Sequence, residues 1–422
     1  MIDSISVGIL GCVVLFILLC LGMPIAFAMF FVGLLGIFAL TSLEAAFPVI
    51  AMTIYHTASN YHFTLIPLFI LMGGIAEYSG LTEKLYRSFD KLFSNIPGGL
   101  GVATIAASAT IGTIAIPEMR RFKYAPSFST GIVAAGGTLS FLIPPSLGFI
   151  VYGMLTEQSA GKLFVAGIIP GILLASAFIA TIIIHAKLNK QIAPARNINV
   201  SFKEKISGIK GTWEAILIFI LVVGGIYRGY VNPTEAGAVG VTALIIIVLL
   251  KKKYSSKKFI LALFKSIRIS VMVLFLIAGA HVFSTFLALT TIPMTVSNGI
   301  TGLHFSRYII LALIILIYLF LGCFLDAISM MVLTMPVIFP IIISLNFNPI
   351  WFGVICVIMM EAGLITPPLG LNAIILAGVS KDIPIQNIYR GSIPFLLCMI
   401  IIVIILTVFP EITTFLPRLM GH

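Results

Sequence analysis

The sequence predicts an all-α polytopic membrane protein with two internal repeats, and three observations support this fold class. Of the 422 residues, 60% are hydrophobic and 9% are charged, whereas a soluble domain carries about 25% charged residues. The charges cluster, which leaves apolar runs of the kind that form membrane-spanning helices, such as residues 243–250 and 395–408. Two Pro-Pro pairs also interrupt apolar segments, at Pro144-Pro145 and Pro367-Pro368, 223 residues apart.

The formal net charge of +11 indicates topology rather than nucleic-acid binding. Basic residues collect in two tracts, 187–210 and 251–268, and two apolar spans joined by a turn at 228–233 separate them. Two spans return the chain to the side it left, so both tracts lie on one face, which the positive-inside rule assigns to the cytoplasm. A nucleic-acid or lipid-binding patch is the alternative, but topology accounts for the charge, so we expect no nucleic-acid partner.

The first elements are apolar helices over residues 6–21 and 25–40, separated by a break at Gly22-Met23-Pro24. The first lacks a basic leader and a small-residue cleavage site, which favours a retained span over a removed signal peptide. Residues 63–78 predict a further span that ends before Gly80. An amphipathic helix in the membrane interface is predicted over 81–93, and 259–269 repeats its pattern; packing against neighbouring spans is the alternative for both.

The two halves repeat each other around the Pro-Pro pairs. Phe-Leu-Ile-Pro-Pro-Ser-Leu-Gly at 141–148 matches Leu-Ile-Thr-Pro-Pro-Leu-Gly at 364–370, and Pro117 and Pro340 differ by the same offset of 223. Proline removes a backbone donor and clashes with the preceding turn, so each pair predicts a broken helix. Paired breaks in two halves indicate a transporter's binding site near the middle of the membrane. The alternative is a pair of ordinary proline kinks.

Few ionisable residues fall inside the apolar spans. Asp326 lies far along the sequence from any other charge, and a buried carboxylate there requires a cation, a pore or a proton. A helix cap or a distant salt bridge is the alternative for Asp326, and Glu361 has the same structural alternative. Glu235 follows Asn232-Pro233, a pattern that favours a helix start over a site.

Small and hydroxyl-bearing residues cluster around both Pro-Pro pairs. Hydroxyl, amide and carbonyl oxygens suit sodium, which is a hard cation, and broken helices free backbone carbonyls while their exposed N-termini favour an anion. Close helix packing is the alternative for any single glycine. The five cysteines show no metal-ligand or disulfide spacing, and no enzyme motif with a usable context occurs, so we expect neither an enzyme nor a cofactor.

At these residues the sequence resembles the large membrane subunit of the tripartite ATP-independent periplasmic (TRAP) transporters. The matching stretches run through nearly the whole chain: 66–71, 116–119, 136–138 with 143–146, 232–236, 324–326 and 366–372. The resemblance implies an elevator transporter with two inverted repeats, each with a re-entrant hairpin and a broken helix. It further implies a multi-pass protein of the bacterial inner membrane, sodium as the coupling ion, and a carboxylate substrate, chiefly a C4-dicarboxylate or sialic acid. The implied partners, besides the lipid bilayer, are a small four-helix membrane subunit and a periplasmic substrate-binding protein.

One departure from the family concerns the first hairpin. Family members carry a Gly-Ser-Ser tip before the segment that corresponds here to 109–112, and the serine pair is absent. Residues 98–117 are too few for two half-membrane arms and a tip, which need roughly 25–30 residues. Either the hairpin is shortened or the chain lacks a segment.

Taken together, these patterns assign two sodium sites with the substrate between them. The predicted sodium-binding residues of the second half are Asp326, Thr334, Gly363, Thr366, Gly370 and Asn372. Those of the first half are Thr104, Gly136, Thr138, Pro144 and Pro145. The predicted substrate-binding residues are Ser108, Ser140, Ser146, Asp326 and Asn372.

The same patterns predict four regions: scaffold helices over 1–62, a first transport repeat with an interfacial arm helix over 63–185, basic loops and a scaffold helix pair over 186–257, and a second transport repeat with an arm helix over 258–422. The predicted function is sodium-coupled uptake of an organic acid. The alternatives are a dicarboxylate carrier that works without a binding protein, an intramembrane enzyme and a structural subunit.

Overall fold

The structure, a computed structural model, describes residues 3–107, 112–194, 204–205, 208, 210–251, 255–302, 305–368, 370–380 and 382–420, and all regular structure within them is helical. The helices of the first half are α1 Ser4–Cys20, α2 Ile25–Leu40, α3 Leu43–Ser59, α4 Leu65–Tyr78, α5 Leu81–Leu92, α6 Gly99–Ala106, α7 Gly112–Arg121, α8 Pro126–Leu142, α9 Leu147–Thr156 and α10 Ala160–Leu188. Those of the second half are α11 Trp213–Tyr227, α12 Pro233–Leu250, α13 Ser256–Thr290, α14 Ile292–Gly302, α15 Arg307–Gly322, α16 Ala327–Ser344, α17 Pro349–Leu364, α18 Leu371–Val379, α19 Ile385–Val408 and α20 Glu411–Leu419.

Several of these helices have the length and composition of membrane spans. In the described part of the chain, six are long and apolar enough to cross a bilayer: Tyr61–Tyr78, which includes α4, and α10, α12, α13, α16 and α19. The pair α8 and α9 passes the same test as one span bent by 43°. A polytopic membrane fold is therefore confirmed.

The start of α11 and the end of α12, each next to a basic tract, lie side by side. Glu214 at the start of α11 forms ion pairs with Lys251, directly after α12, and with Lys84 on α5. The start of α11, the end of α12 and α5 therefore lie on one side of the membrane, which we call the basic side. The predicted amphipathic helix is α5, and through Lys84 it lies at this side as well.

A first group of helices packs around α13. Helices α2, α3 and α4 contact α13, and α12 packs on α4. Helices α2 and α13 cross closely, since a Cβ on Gly279 would lie 2.7 Å from the Ala26 carbonyl oxygen. The segment 259–269, for which the sequence predicts an interfacial helix, is the uninterrupted first part of α13, which continues for 35 residues in all. We call α2, α3, α4, α12 and α13 the scaffold group.

Helices α6–α10 and α15–α19 form two repeats of opposite direction. In the first repeat, α6 and α7 form a hairpin, α8 and α9 form a broken helix, and α10 is a span that contains Pro170. In the second repeat, α15 and α16 form the hairpin, α17 and α18 form the broken helix, and α19 is the span, which contains Pro394. Helix α8 starts at the basic side, where Ala125 bonds to Ile192 after the end of α10. Helix α17 starts at the opposite side, beside α9, where the Tyr152 hydroxyl donates to the Pro349 carbonyl.

Candidate ion and substrate sites at the helix breaks

The second break is held by the tip of its hairpin. Between α17 and α18 the chain passes through Pro367 and Pro368, joined by a cis peptide bond, to Gly370, whose φ of +41° is left-handed. The Gly370 amide donates to the Cys323 carbonyl at 3.2 Å, and the Cys323 thiol donates to the Pro367 carbonyl at 3.1 Å. We call these two hydrogen bonds the tip latch. They join the hairpin tip between α15 and α16 to the break.

The predicted sodium residues of the second half lie at different distances from this break. Asp326 is half-buried at the hairpin tip and caps α16, where its carboxylate accepts from the Ser329 amide at 3.1 Å. Thr334 lies two turns further along α16, and its hydroxyl donates to the Met330 carbonyl and meets the Tyr318 hydroxyl at 3.2 Å. The structure thus brings Asp326 to the break and leaves Thr334 between the hairpin arms.

The other predicted residues of the second half flank the break directly. Gly363 is buried against Gly322 of the hairpin arm α15. Thr366 opens the break, and its hydroxyl donates to the Ala362 carbonyl at 2.7 Å. Asn372 is half-buried in the first turn of α18. Thr366 and Asn372 therefore bring side-chain oxygen atoms to the two sides of the break, whereas Gly363 allows the close approach of the hairpin arm.

The first break, between α8 and α9, also contains a Pro-Pro pair, but a different residue closes it. Pro144 and Pro145 are again joined by a cis peptide bond. Ser146 is fully buried and caps α9: its oxygen accepts from the Phe149 amide at 3.4 Å, and its hydroxyl donates to the Phe141 carbonyl. The first break is therefore closed by a serine of its own chain segment.

The remaining predicted residues of the first half lie before the break. The hydroxyls of Thr138 and Ser140 donate to carbonyls three residues earlier in α8, both at 2.7 Å. Thr104 of α6 is buried next to Gly136, where an added Cβ would lie 3.6 Å from the Thr104 carbonyl oxygen. The structure thus brings Thr104 and Gly136 together, as predicted for one site. Ser108, a predicted substrate residue, lies outside the described residues.

A narrow apolar crevice lies where the first broken helix, the second hairpin and the second broken helix meet. Its lining residues are Phe141, Gly148, Ala327, Ile328, Met331, Val357, Met360 and Glu361. Glu361 is only 2% exposed, and its Oε1 has no hydrogen-bond partner in the described part of the chain. The crevice offers no other oxygen-bearing side chain, so as it stands it does not provide a sodium site.

The electrostatics of the breaks suit both a cation and an anion. Helices α8 and α17 end at the breaks and leave carbonyl groups without helical partners, whereas α9 and α18 begin there with amide groups that lack helical partners. The ends of the first pair carry partial negative charge and the starts of the second pair carry partial positive charge. The arrangement can therefore bind a cation and a carboxylate side by side.

Three features of this region are not foreseen from the sequence. Cys323 forms the tip latch, the Tyr389 hydroxyl donates to the Pro368 carbonyl at 2.7 Å, and Arg120 in the last turn of α7 pairs with Asp382 after α18. The hydrogen bond from Arg120 lowers the pKa of Asp382 below its usual value. Each contact joins residues far apart in sequence, and the residue types alone give no signal for it.

A larger cavity of about 800 Å³ lies at the opposite end of α9 from the first break, on the side away from the basic tracts. Its wall combines residues 56–65, 232–234 and 281–284 of the scaffold group with residues 153–160 of the first repeat. Three histidines, His56, His62 and His281, line it. The sequence shows these histidines only as scattered residues.

Comparison with known proteins agrees with this architecture. The sequence model of the family described as "Tripartite ATP-independent periplasmic transporter, DctM component" matches residues 12–412. The chain is 32% identical over 387 residues to the C4-dicarboxylate TRAP transporter large permease protein DctM of Pseudomonas aeruginosa, covering 88% of this chain and 90% of that protein. It is 29% identical to the sialic acid TRAP transporter large permease protein SiaM of Vibrio cholerae, covering 95% and 96%.

A solved structure shares the fold at low sequence identity. The YdaH transporter of Alcanivorax borkumensis superimposes with a TM-score of 0.65 at 14% identity, covering 88% of this chain and 89% of that chain. The relatives are named as transporter permeases and not as enzymes. The chain is therefore a multi-pass transporter permease that belongs to the DctM component family of the tripartite ATP-independent periplasmic transporters.

Proposed function

We propose that this chain carries out sodium-coupled secondary active uptake of an organic acid across the bacterial inner membrane. The observation that carries the proposal is the pair of inverted broken helices, with the second break bonded to its hairpin tip through Gly370 and Cys323. Freed carbonyls at such breaks suit a hard cation, and the helix starts suit a carboxylate. The names of the relatives point to a C4-dicarboxylate or sialic acid as the substrate.

The same proposal includes an elevator mechanism and two protein partners. The two repeats would move against the scaffold group, carrying the breaks and the bound substrate with them. A periplasmic binding protein would deliver the substrate, as the family description implies. A small four-helix membrane subunit would cover α1 and the neighbouring α2 of the scaffold group, where large apolar side chains such as Phe16 and Phe27 are exposed.

Uptake into proteoliposomes tests this function. The chain would be reconstituted alone, with its small subunit, and with both the small subunit and the binding protein, and supplied with labelled succinate or N-acetylneuraminate. We expect uptake that needs an inward sodium gradient and both partners. Equal uptake with a proton gradient in sodium-free buffer would refute sodium coupling, and full uptake by the chain alone would refute the need for partners.

A further inference from the structure

The cavity of about 800 Å³ lies on the side of the membrane away from the basic tracts, at the end of α9 opposite the first break. One wall belongs to the scaffold group and the other to residues 153–160, which connect α9 to α10. Helix α9 has ten residues, so the first break lies about 15 Å away along its axis. A solute in the cavity therefore stands one short helix away from the break.

The cavity wall includes several hydrogen-bond donors suited to a carboxylate, beside apolar residues such as Phe63 and Leu155. Three of the chain's six histidines line the wall, of which His56 and His62 are exposed and His281 is half-buried. Side-chain amides accompany them: Asn60, Gln158 and Asn232. Imidazole and amide groups donate hydrogen bonds to a carboxylate without the fixed charge of lysine or arginine, and neither of those two residue types lines the described wall.

The wall also receives partial positive charge from the backbone. The capping residues Ser159 and Asn232 both line the cavity, so α10 and α12 begin there. Helix starts favour anions. The only acidic residue on the described wall is the exposed Glu157. A metal ion is disfavoured, because the described residues contain no group of three or more His, Cys, Asp or Glu side chains that could hold one.

We propose that this cavity is a second binding station for the carboxylate substrate, which binds there without sodium before it reaches the helix breaks. The station rests on the proposed function, since it names a further site for the same substrate. The histidines and amides bind the acid weakly, because they carry no fixed charge. Weak binding at this point allows the acid to leave the station for the breaks.

Ligand-observed saturation-transfer NMR in sodium-free choline buffer tests the station directly. The chain would be purified with its small subunit in nanodiscs, and succinate and N-acetylneuraminate would serve as probes. We expect a saturation-transfer signal for at least one probe with the wild type and its loss in the triple variant His56→Gln, His62→Gln, His281→Gln. The control His185→Gln should keep the signal, since His185 lies at the other end of α10, next to Phe128. No signal with the wild type, or an equal signal with the triple variant, would overturn the proposal.

Transport kinetics separate this role from a structural one. In the triple variant, the substrate concentration for half-maximal uptake should rise about tenfold, the effect of losing one or two hydrogen bonds to a charged ligand. The maximal rate should stay within about twofold and the sodium dependence should not change, because the breaks are intact. If the triple variant does not assemble, the double variant of the exposed His56 and His62 replaces it. Uptake without sodium would refute the proposed function but not the binding station. The station is tested separately, by whether the histidine variants lose the NMR binding signal.

Discussion

Alanine at Gly363 would separate the second hairpin from the second broken helix. A Cβ on Gly363 would lie 2.6 Å from the Gly322 Cα and 3.2 Å from the Tyr318 carbonyl oxygen. Non-bonded heavy atoms pack at about 3.5–4.0 Å, so the arm α15 must move by about 1 Å. Both atoms belong to the backbone, so no side-chain rotation relieves the clash. The substitution therefore tests whether close contact between hairpin and break is needed for ion binding.

The expected magnitude follows from what this displacement disturbs. Overpacking a closely packed contact costs about 1–3 kcal/mol. The tip latch joins Cys323 to Gly370 at 3.2 Å and to Pro367 at 3.1 Å, so a shift of about 1 Å breaks both hydrogen bonds. The amide bond from Gly370 is worth about 1 kcal/mol, and the thiol bond is worth less, because the thiol is a weak donor that also lies 3.2 Å from the Leu319 carbonyl oxygen. The total is about 2–4 kcal/mol. If half of it falls on the sodium-bound state, the sodium concentration for half-maximal uptake rises about tenfold.

The assay is sodium-dependent uptake in proteoliposomes at saturating substrate, with the partner proteins present. The matched control is Gly378→Ala on α18, where an added Cβ has no heavy atom within 4 Å. We expect the control to keep the wild-type sodium curve. A wild-type curve for Gly363→Ala, or an equal shift in the control, would show that contact between hairpin and break does not govern ion binding.

Three further variants test charges elsewhere in the fold. Glu214→Gln should lower the thermal unfolding midpoint, because Lys84 and Lys251 lose an ion-pair partner that is only 3% exposed. The cost is about 1–3 kcal/mol after allowance for the exposure of the two lysines. The control Glu411→Gln, at an exposed position, should leave the midpoint unchanged. Arg120 lowers the pKa of Asp382, so the ionised carboxylate stabilises the folded state. This contribution is present above the unfolded-state pKa of about 3.9 and is lost as the pH falls through the lower folded-state pKa. The unfolding midpoints of the wild type and Asp382→Asn should therefore converge in acid. Asp326→Asn keeps a helix cap and removes the charge, so half-maximal uptake should need about tenfold more sodium; an unchanged curve would leave Asp326 as a cap alone.

The sequence predicts the repeat architecture well because prolines mark it. Pro117 and Pro340, at the predicted offset of 223, fall in the equivalent second hairpin arms α7 and α16, and the two Pro-Pro pairs fall in the equivalent breaks. Proline disrupts a helix wherever it occurs inside one, so its position reports on local structure without knowledge of the fold. The amphipathic helix α5 is predicted for a similar reason, since its pattern is local.

The contacts of the predicted hydroxyl groups could not be foreseen in the same way. Thr138, Ser140, Thr334 and Thr366 are chosen from the sequence because sodium prefers oxygen ligands. In the structure each of these hydroxyls donates to a carbonyl three or four residues earlier in its own segment, which is common for Ser and Thr within helices. Donating the hydrogen leaves the oxygen lone pairs of each hydroxyl available to a cation, so these contacts are compatible with sodium binding but fix where each hydroxyl points.

The tip latch and the cavity depend on distant parts of the chain, and residue type alone does not reveal them. Cys323 stands in an apolar run and resembles a core residue, yet its thiol bonds to a carbonyl 44 residues later. The histidines of the cavity come from three separate segments of the scaffold group. Such sites arise from the packing of helices, and a periodic pattern in the sequence reports only on one helix at a time.

The two hairpins differ in length, and this makes the two breaks unequal. The arms α6 and α7 have 8 and 10 residues, whereas α15 and α16 have 16 and 18. The last residue of α15 meets Gly363, next to the end of α17. Thr104, near the end of α6, meets Gly136, which is six residues before the end of α8 and thus about 9 Å short of the break.

The described part of the first hairpin therefore ends before it reaches the first break, whereas the second hairpin reaches the second break and forms hydrogen bonds with it. If contact with a hairpin is needed to complete an ion site, substitutions at the second break should affect the sodium dependence of uptake more than substitutions at the first. Thr366→Ala should then raise the sodium concentration for half-maximal uptake more than Thr104→Ala does. Both threonine hydroxyls donate to a carbonyl four residues earlier, at 2.7 and 2.9 Å, so the two variants lose matched local hydrogen bonds and differ in their distance from a break. An equal or larger effect at Thr104 would show that the short hairpin completes a site without reaching the break through its described residues.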